Sequence, residues 1–194
     1  MSSTDVTRAG SDALGRIPPG IKITAQASAE PSEEDLAFIA QMGVKHVVLW
    51  TDGARSSAEY YSSRKALFAD HGLDVFGFGN WDVHNQDAIV LGLANRDDKV
   101  EEYKRHLRSL GKAGIPYTTY AHMPNGIWST EPEEARGGAR ARAFALANAR
   151  EGHWFKNVYS LPLTNGREYS EAEVWENYTR FIREAARSPS RKGC

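Results

Sequence analysis

Cysteine is almost missing from this chain of 194 residues: the one cysteine, Cys194, is the last residue. No intrachain disulfide can form, which fits a reducing compartment, and a cytoplasmic location is expected. Net charge is nearly missing too. Lysine and arginine number 24 against 25 aspartates and glutamates, a formal charge of -1, so nothing draws the whole molecule toward nucleic acid or anionic lipid. No run approaches the roughly 20 apolar residues of a membrane span. The opening MSSTDVTRAGSDALGRIPPG has no apolar centre and is not expected to be a secretory signal. Its polar, Gly/Pro-closed character reads as a disordered leader over 1–20, with a polar tail over 188–194 and one folded region over 21–187. No GxSxG, P-loop, HExxH or CxxC occurs. The GFGN at Gly77–Asn80 lacks the third glycine of a dinucleotide fingerprint.

What is there is a strand-helix rhythm. IKITAQA (Ile21–Ala27) and the near-continuous apolar VKHVVLW (Val44–Trp50) read as strands. Between them Ser32 opens a capping box onto a helix with Leu36, Ile39 and Ala40 on its apolar face. A helix over about Ala58–His71 follows, then a strand over Leu73–Asn80. VHNQDAIVLGL reads as a polar loop. Asn95 and Asp98 cap a helix with Val100, Tyr103, Leu107 and Leu110 inward. IPYTTYA (Ile115–Ala121) is expected to be a fourth strand, with Pro116 tolerable near its start. Glycines at Gly43, Gly72 and Gly114 stop three helices just before strands. Such alternation argues for parallel strands with right-handed crossovers. After Thr130 an Ala/Arg-rich stretch, capable of helix, is interrupted by Gly137 and Gly138. SLPLT (Ser160–Thr164) is a short extended piece, and Ser170 with Glu173 caps a final helix.

Functional groups of parallel α/β folds gather where strands end. His84 follows the third strand and His122 the fourth. With Asp82 they offer an N/O metal set, a polar wall for substrate hydroxyls, or simple loop capping. Trp50, Trp81 and Trp128 also fall at strand ends, suited to sugar C–H surfaces or to covering the core rim. Asp52 and Gly53 form a turn. Arg136, Arg140 and Arg142 read as an anion clamp or as a solvated face.

The runs VHNQDAIVLGLANRDDKVEEYKRHLRSLGKAGI and YTTYAHMPNGIWST resemble the mannonate dehydratase family. His84, Tyr103, Leu107, Arg108, Leu110, Gly114, Ile115, Tyr120, Met123, Pro124, Trp128 and Thr130 match its pattern. YSEAEVWENYTRFIRE is similar to its helix before the fifth strand. The resemblance implies a xylose-isomerase-like TIM barrel and a lyase that converts D-mannonate to 2-keto-3-deoxygluconate with a divalent metal such as Mn²⁺. Two departures stand out. Ala121-His122-Met123 replaces Asn-Phe-Met, and Ile127-Trp128-Ser129-Thr130 replaces Asp-Trp-Thr-Arg-Thr. The family's metal ligands, a His-Pro-Asp-Asp-Pro loop and a later Cys, His and Asp, have no counterpart in this sequence.

The expected fold is therefore α/β, a partial (β/α)8 TIM barrel of about four strand-helix units, since a closed barrel takes about 250 residues. The chain reads as the N-terminal half of such a lyase, truncated or read through into an unrelated tail, and inactive alone. Alternatives are a sugar isomerase or epimerase of the same superfamily, or a non-catalytic fragment acting by self-association. Expected substrate-binding residues are His84, Tyr120, His122 and Trp128, with no metal held by this chain. Expected partners are a small sugar acid and, through open sheet edges, a second copy, but neither nucleic acid nor membrane.

Overall fold

The computed structural model describes residues 20–162 and 165–187. The expected tail and nearly all of the expected leader lie outside them, as do Leu163 and Thr164. The described chain divides into two compact units. One holds the residues up to His84 together with Glu102–Tyr120; the other holds Asn85–Glu101 and Ala121–Arg187.

The first unit is built on a parallel sheet in sequence order: β1 (Thr24–Ser28), β2 (His46–Thr51) and β3 (Asp74–Asn80). The crossovers are helices α1 (Glu33–Gln41) and α2 (Ala58–Asp70). Ser32 and Asp35 complete the capping box of α1, and Ser57 caps α2. Gly43, Gly72 and Gly114 have φ of 69°, 73° and 63°, the left-handed turn a glycine takes without penalty. Alternate strand residues separate two faces. Val47, Leu49, Val75 and Phe78 pack with Leu36, Ile39, Tyr61 and Phe68 from the helices into one core cluster.

The expected partial TIM barrel is not found. The described strands form three open sheets, none of them closed. The segment Ile115–Ala121 is not a strand. It touches β3 through one parallel bridge, Gly77 to Tyr117, and one bond from the Phe78 amide to the Tyr117 carbonyl (3.1 Å). Pro116 has no N–H to give a ladder there. The chain beyond it also drops the strand-helix rhythm. β4 (Ile127–Trp128), β7 (Glu151–Trp154) and β8 (Asn157–Ser160) form an antiparallel sheet, and β5 (Thr130–Glu134) pairs antiparallel with β6 (Arg140–Ala143). The Ala/Arg-rich stretch is thus a ribbon, not a helix, because Gly137 (φ 77°) and Gly138 (φ 75°) turn the chain back on itself.

The expected polar loop after β3 is also different. It folds into two short helices, α3 (Trp81–His84) and α4 (Asp87–Val90), with Ala88, Ile89 and Val90 buried. Helix α5 (Arg96–Lys112) follows, and α6 (Glu171–Ala186) ends the second unit. Ser170 caps α6, while the Glu173 carboxylate pairs with Arg167. Arg96, almost fully buried, donates to Glu184 at 2.9 Å and so ties α5 to α6.

A directed chain of hydrogen bonds crosses the core of the first unit. Thr118 Oγ1 donates to the Phe78 carbonyl (2.7 Å), so it accepts from His106 Nε2 (3.0 Å). His106 Nδ1 must then accept from the Tyr61 hydroxyl (2.8 Å), whose oxygen accepts from the Asn80 carboxamide. Asn80 Oδ1 accepts from the Asp82 amide (3.0 Å). Each link fixes the next, so His106 is held as the neutral Nε2–H tautomer. Burial pushes its pKa down from 6.5 to about 4.

That shift sets a pH dependence. Above pH 6.5 the imidazole is neutral in both folded and unfolded chains. As pH falls from 6.5 toward 4 only the unfolded chain takes the proton, and stability should drop by up to about 3 kcal/mol. Denaturant midpoints at neutral and mildly acid pH check this, and a His106→Gln variant should lose most of that slope. A second expectation concerns Gly77, where a Cβ would lie 2.8 Å from the Tyr117 carbonyl oxygen. Gly77→Ala should cost roughly 1–3 kcal/mol in the same melts.

Candidate functional site

The four candidate residues divide two and two between the units. His84 ends α3 and is buried, its ring edge-on to Trp50 at 5.1 Å and 71°. Burial lowers its pKa, opposed by a bond to the Thr119 backbone. Trp50 in turn stacks on Trp81, with centroids 4.0 Å apart and planes at 25°. Tyr120 stands edge-on to Tyr103 (5.6 Å, 72°), whose hydroxyl pKa burial pushes up to about 12.

In the second unit His122 lies edge-on to Tyr178 (5.2 Å, 68°), with Nε2 3.3 Å from the Val174 carbonyl on α6. Burial lowers its pKa as well. Both imidazoles are thereby biased to the neutral form, able to donate and accept hydrogen bonds without a buried charge. Trp128 lies in β4 and donates from Nε1 to the Asn125 carbonyl at 2.9 Å. Its ring covers Gly152 of β7, where a Cβ would come within 2.6 Å of Cδ1. Trp128 therefore has a clear packing duty whatever else it does.

The other sequence candidates resolve into local structure. Asp82 Oδ2 accepts from the Gly53 amide at 2.7 Å, and Asp52 caps the turn at Gly53–Arg55. Arg136, Arg140 and Arg142 are exposed on the β5–β6 ribbon. Among the described residues no group of three or more His, Cys, Asp or Glu is placed to hold a metal ion. The one carboxylate in the sequence's metal set, Asp82, is committed to a backbone amide. Among the described residues this donor set does not fit a divalent metal.

Sequence reasoning missed the polar groups just after His84. Asn85 is buried and clamps Met123 twice, donating to its carbonyl (2.8 Å) and accepting from its amide (2.9 Å). Asp87 Oδ2 accepts from the Tyr159 hydroxyl at 2.7 Å. Burial, then this carboxylate, pushes the Tyr159 pKa up to about 12. Gln86 is buried, and neither polar atom of its carboxamide has a hydrogen-bond partner among the described residues. Such a group calls for a water or a ligand atom. The signal for these residues in the sequence is three polar residues, Asn85-Gln86-Asp87, set directly before the apolar run AIVLGL.

A family model described as D-mannonate dehydratase (UxuA) matches residues 31–160, well over half of the chain. The chain belongs to the D-mannonate dehydratase (UxuA) family. A mannonate dehydratase from Oceanobacillus iheyensis is 27% identical over 61% of this chain and 38% of its own length. One from Streptococcus pneumoniae is 35% identical over 34% of this chain and 17% of its own length. The chain thus spans well under half the length of these curated relatives. The crystal structure of mannonate dehydratase from Streptococcus suis serotype 2 superposes with a TM-score of 0.67, covering 88% of this chain and 50% of that one. At 19% identity this is a likeness of fold alone.

Removing the Asn85 clamp tests how this family member holds its 121–126 segment. Asn85→Ala leaves the Met123 amide and carbonyl without their partner, and stability should fall by about 2–4 kcal/mol. Amide hydrogen exchange at Met123 should quicken more than at β2.

Proposed function

We propose that this chain forms part of the substrate-binding wall of a mannonate-dehydratase-like sugar-acid lyase and does not dehydrate mannonate alone. The observation that carries the reading is the family match over residues 31–160. The reaction removes water from D-mannonate, taking the proton at C2 and the hydroxyl at C3, to give 2-keto-3-deoxygluconate. The family resemblance implies a divalent metal for this step, and no group of three or more His, Cys, Asp or Glu among the described residues is placed to hold one. What its residues would contribute is binding. In the first unit His84, biased to neutrality by burial, suits a hydrogen bond to a substrate hydroxyl, and Tyr120 offers aromatic surface to the carbon chain; in the second unit His122 and Trp128 offer the same two features. The match covers 38% of the length of the Oceanobacillus iheyensis relative, which supports a chain that corresponds to part of a longer enzyme.

A second reading, a non-catalytic fragment that self-associates, has its own support. Among the described residues β1 pairs with β2 alone, and an unpaired strand edge is a template for another chain. Beside it Ile21 and Ile23 are 96% and 74% exposed, and Phe38 on α1 is 60% exposed.

The purified chain, incubated with D-mannonate and Mn²⁺, should give no 2-keto-3-deoxygluconate. Measurable product would overturn the inactive-fragment reading. Light scattering should show dimers or larger species, whereas a monomer would remove the self-association reading. Calorimetric titration with D-mannonate should show weak binding that His84→Ala reduces.

A further inference from the structure

The parallel sheet has one face packed by α1 and α2 and another that the core does not use. On β1, Ala25 and Ala27 pack inward while Thr24 and Gln26 are exposed. On β2, Val47 and Leu49 are fully buried while Val48 and Trp50 look the other way. That second face carries a cavity of about 420 Å³ lined by Thr24, Gln26, Trp50, Phe76, Tyr117 and Thr119, among others. Its size lies within the roughly 300–1,000 Å³ of small-molecule sites.

The floor of the cavity is built in a specific way. Phe76 sits at the register shift between Val47 and Val48, the extra residue of a bulge, and such bulges re-aim a side chain. Its ring stacks with Tyr117 at 5.6 Å and 30°. Tyr117 in turn lies over Gly77, where a Cβ would meet its Cδ1 and its carbonyl oxygen, and Trp50 lies over Gly79, where a Cβ would come within 2.6 Å of the indole Cε3. The two glycines of GFGN thus remove the side chains that would prop these rings off the sheet. The result is an aromatic shelf of Phe76, Tyr117 and Trp50, with Trp50 braced by Trp81. Around the shelf stand two hydroxyls, a carboxamide and an ammonium, Thr24, Thr119, Gln26 and Lys22.

We propose that this shelf binds the closed ring of a pyranose. The C–H face of a sugar ring lies well on an aromatic ring, and its edge hydroxyls both donate and accept, as do threonine hydroxyls and a carboxamide. The site is independent of the lyase reading, because its ligand is a closed ring and D-mannonate is an open chain.

Saturation-transfer NMR on the full chain tests it, with methyl α-D-mannopyranoside, sorbitol and adenosine as separate probes. The expected result is transfer into the ring C–H protons of the pyranoside and little into sorbitol. Tyr117→Ala should weaken pyranoside binding about tenfold, the scale of losing one stacked ring. Gln26→Ala, a change on an exposed edge-strand position, should weaken it by several-fold and decides the matter if Tyr117→Ala does not fold. Equal transfer to sorbitol, stronger transfer to adenosine, no transfer to the pyranoside, or unchanged affinity in Gln26→Ala would each overturn the proposal.

Discussion

The first unit depends on one buried imidazole. His106 joins the Tyr61 hydroxyl of α2 to the Thr118 hydroxyl, and Thr118 carries the chain on to the backbone of β3. Because every donor in this line has one available acceptor, the tautomer of His106 has no freedom. A buried polar line of this kind is stable only if complete, since each broken link strands a desolvated group. Here it does what a ladder would otherwise do. The segment 115–121 makes a single bridge to β3, and the side-chain line supplies a second attachment beside it. The far end of the line reaches Asn80 and the amide of Asp82, so the packing of α2 and α5 also fixes the turn that carries His84.

Glycine spacing is the second constraint on that unit. Gly77 and Gly79 give up side chains on one face of β3, and the rings of Tyr117 and Trp50 fill the room. Phe78 between them points into the core and is fully buried. One short run therefore serves both faces of the sheet: an aliphatic and aromatic core behind, and flat rings in front. The bulge at Phe76 adds a third ring to the front.

The second unit is held in a different manner, by polar contacts between segments far apart in the chain. Asn85 grips Met123, Asp87 meets Tyr159, Asn177 donates to the Val90 carbonyl at 3.0 Å, and Arg96 joins Glu184. Its sheets are small and antiparallel, with much apolar surface open: Phe144, Leu146, Val158 and Trp175 are each more than half exposed. Four of the residues that match the family pattern, Met123, Pro124, Trp128 and Thr130, lie in this unit.

Local sequence signals were enough for the elements and the parallel order of β1, β2 and β3. Capping serines, stop glycines and a 3.6-residue apolar period act within a few residues of themselves, so Ser32, Gly43 and Gly72 could be read directly. Motif spacing was enough for the family, because the run from His84 to Thr130 keeps its residue types in order. Tertiary structure alone decided what those elements became. Ile115–Ala121 has the composition of a strand, but pairing is a property of two segments, and only one bridge forms. The Ala/Arg-rich stretch has helical propensity, yet two glycines with positive φ and a partner strand make it a ribbon. The line through His106, the Asn85 clamp and the rings laid over Gly77 and Gly79 all join residues distant in sequence. No local pattern announces them, because hydrogen-bond direction and close approach exist only once the chain has brought the partners together.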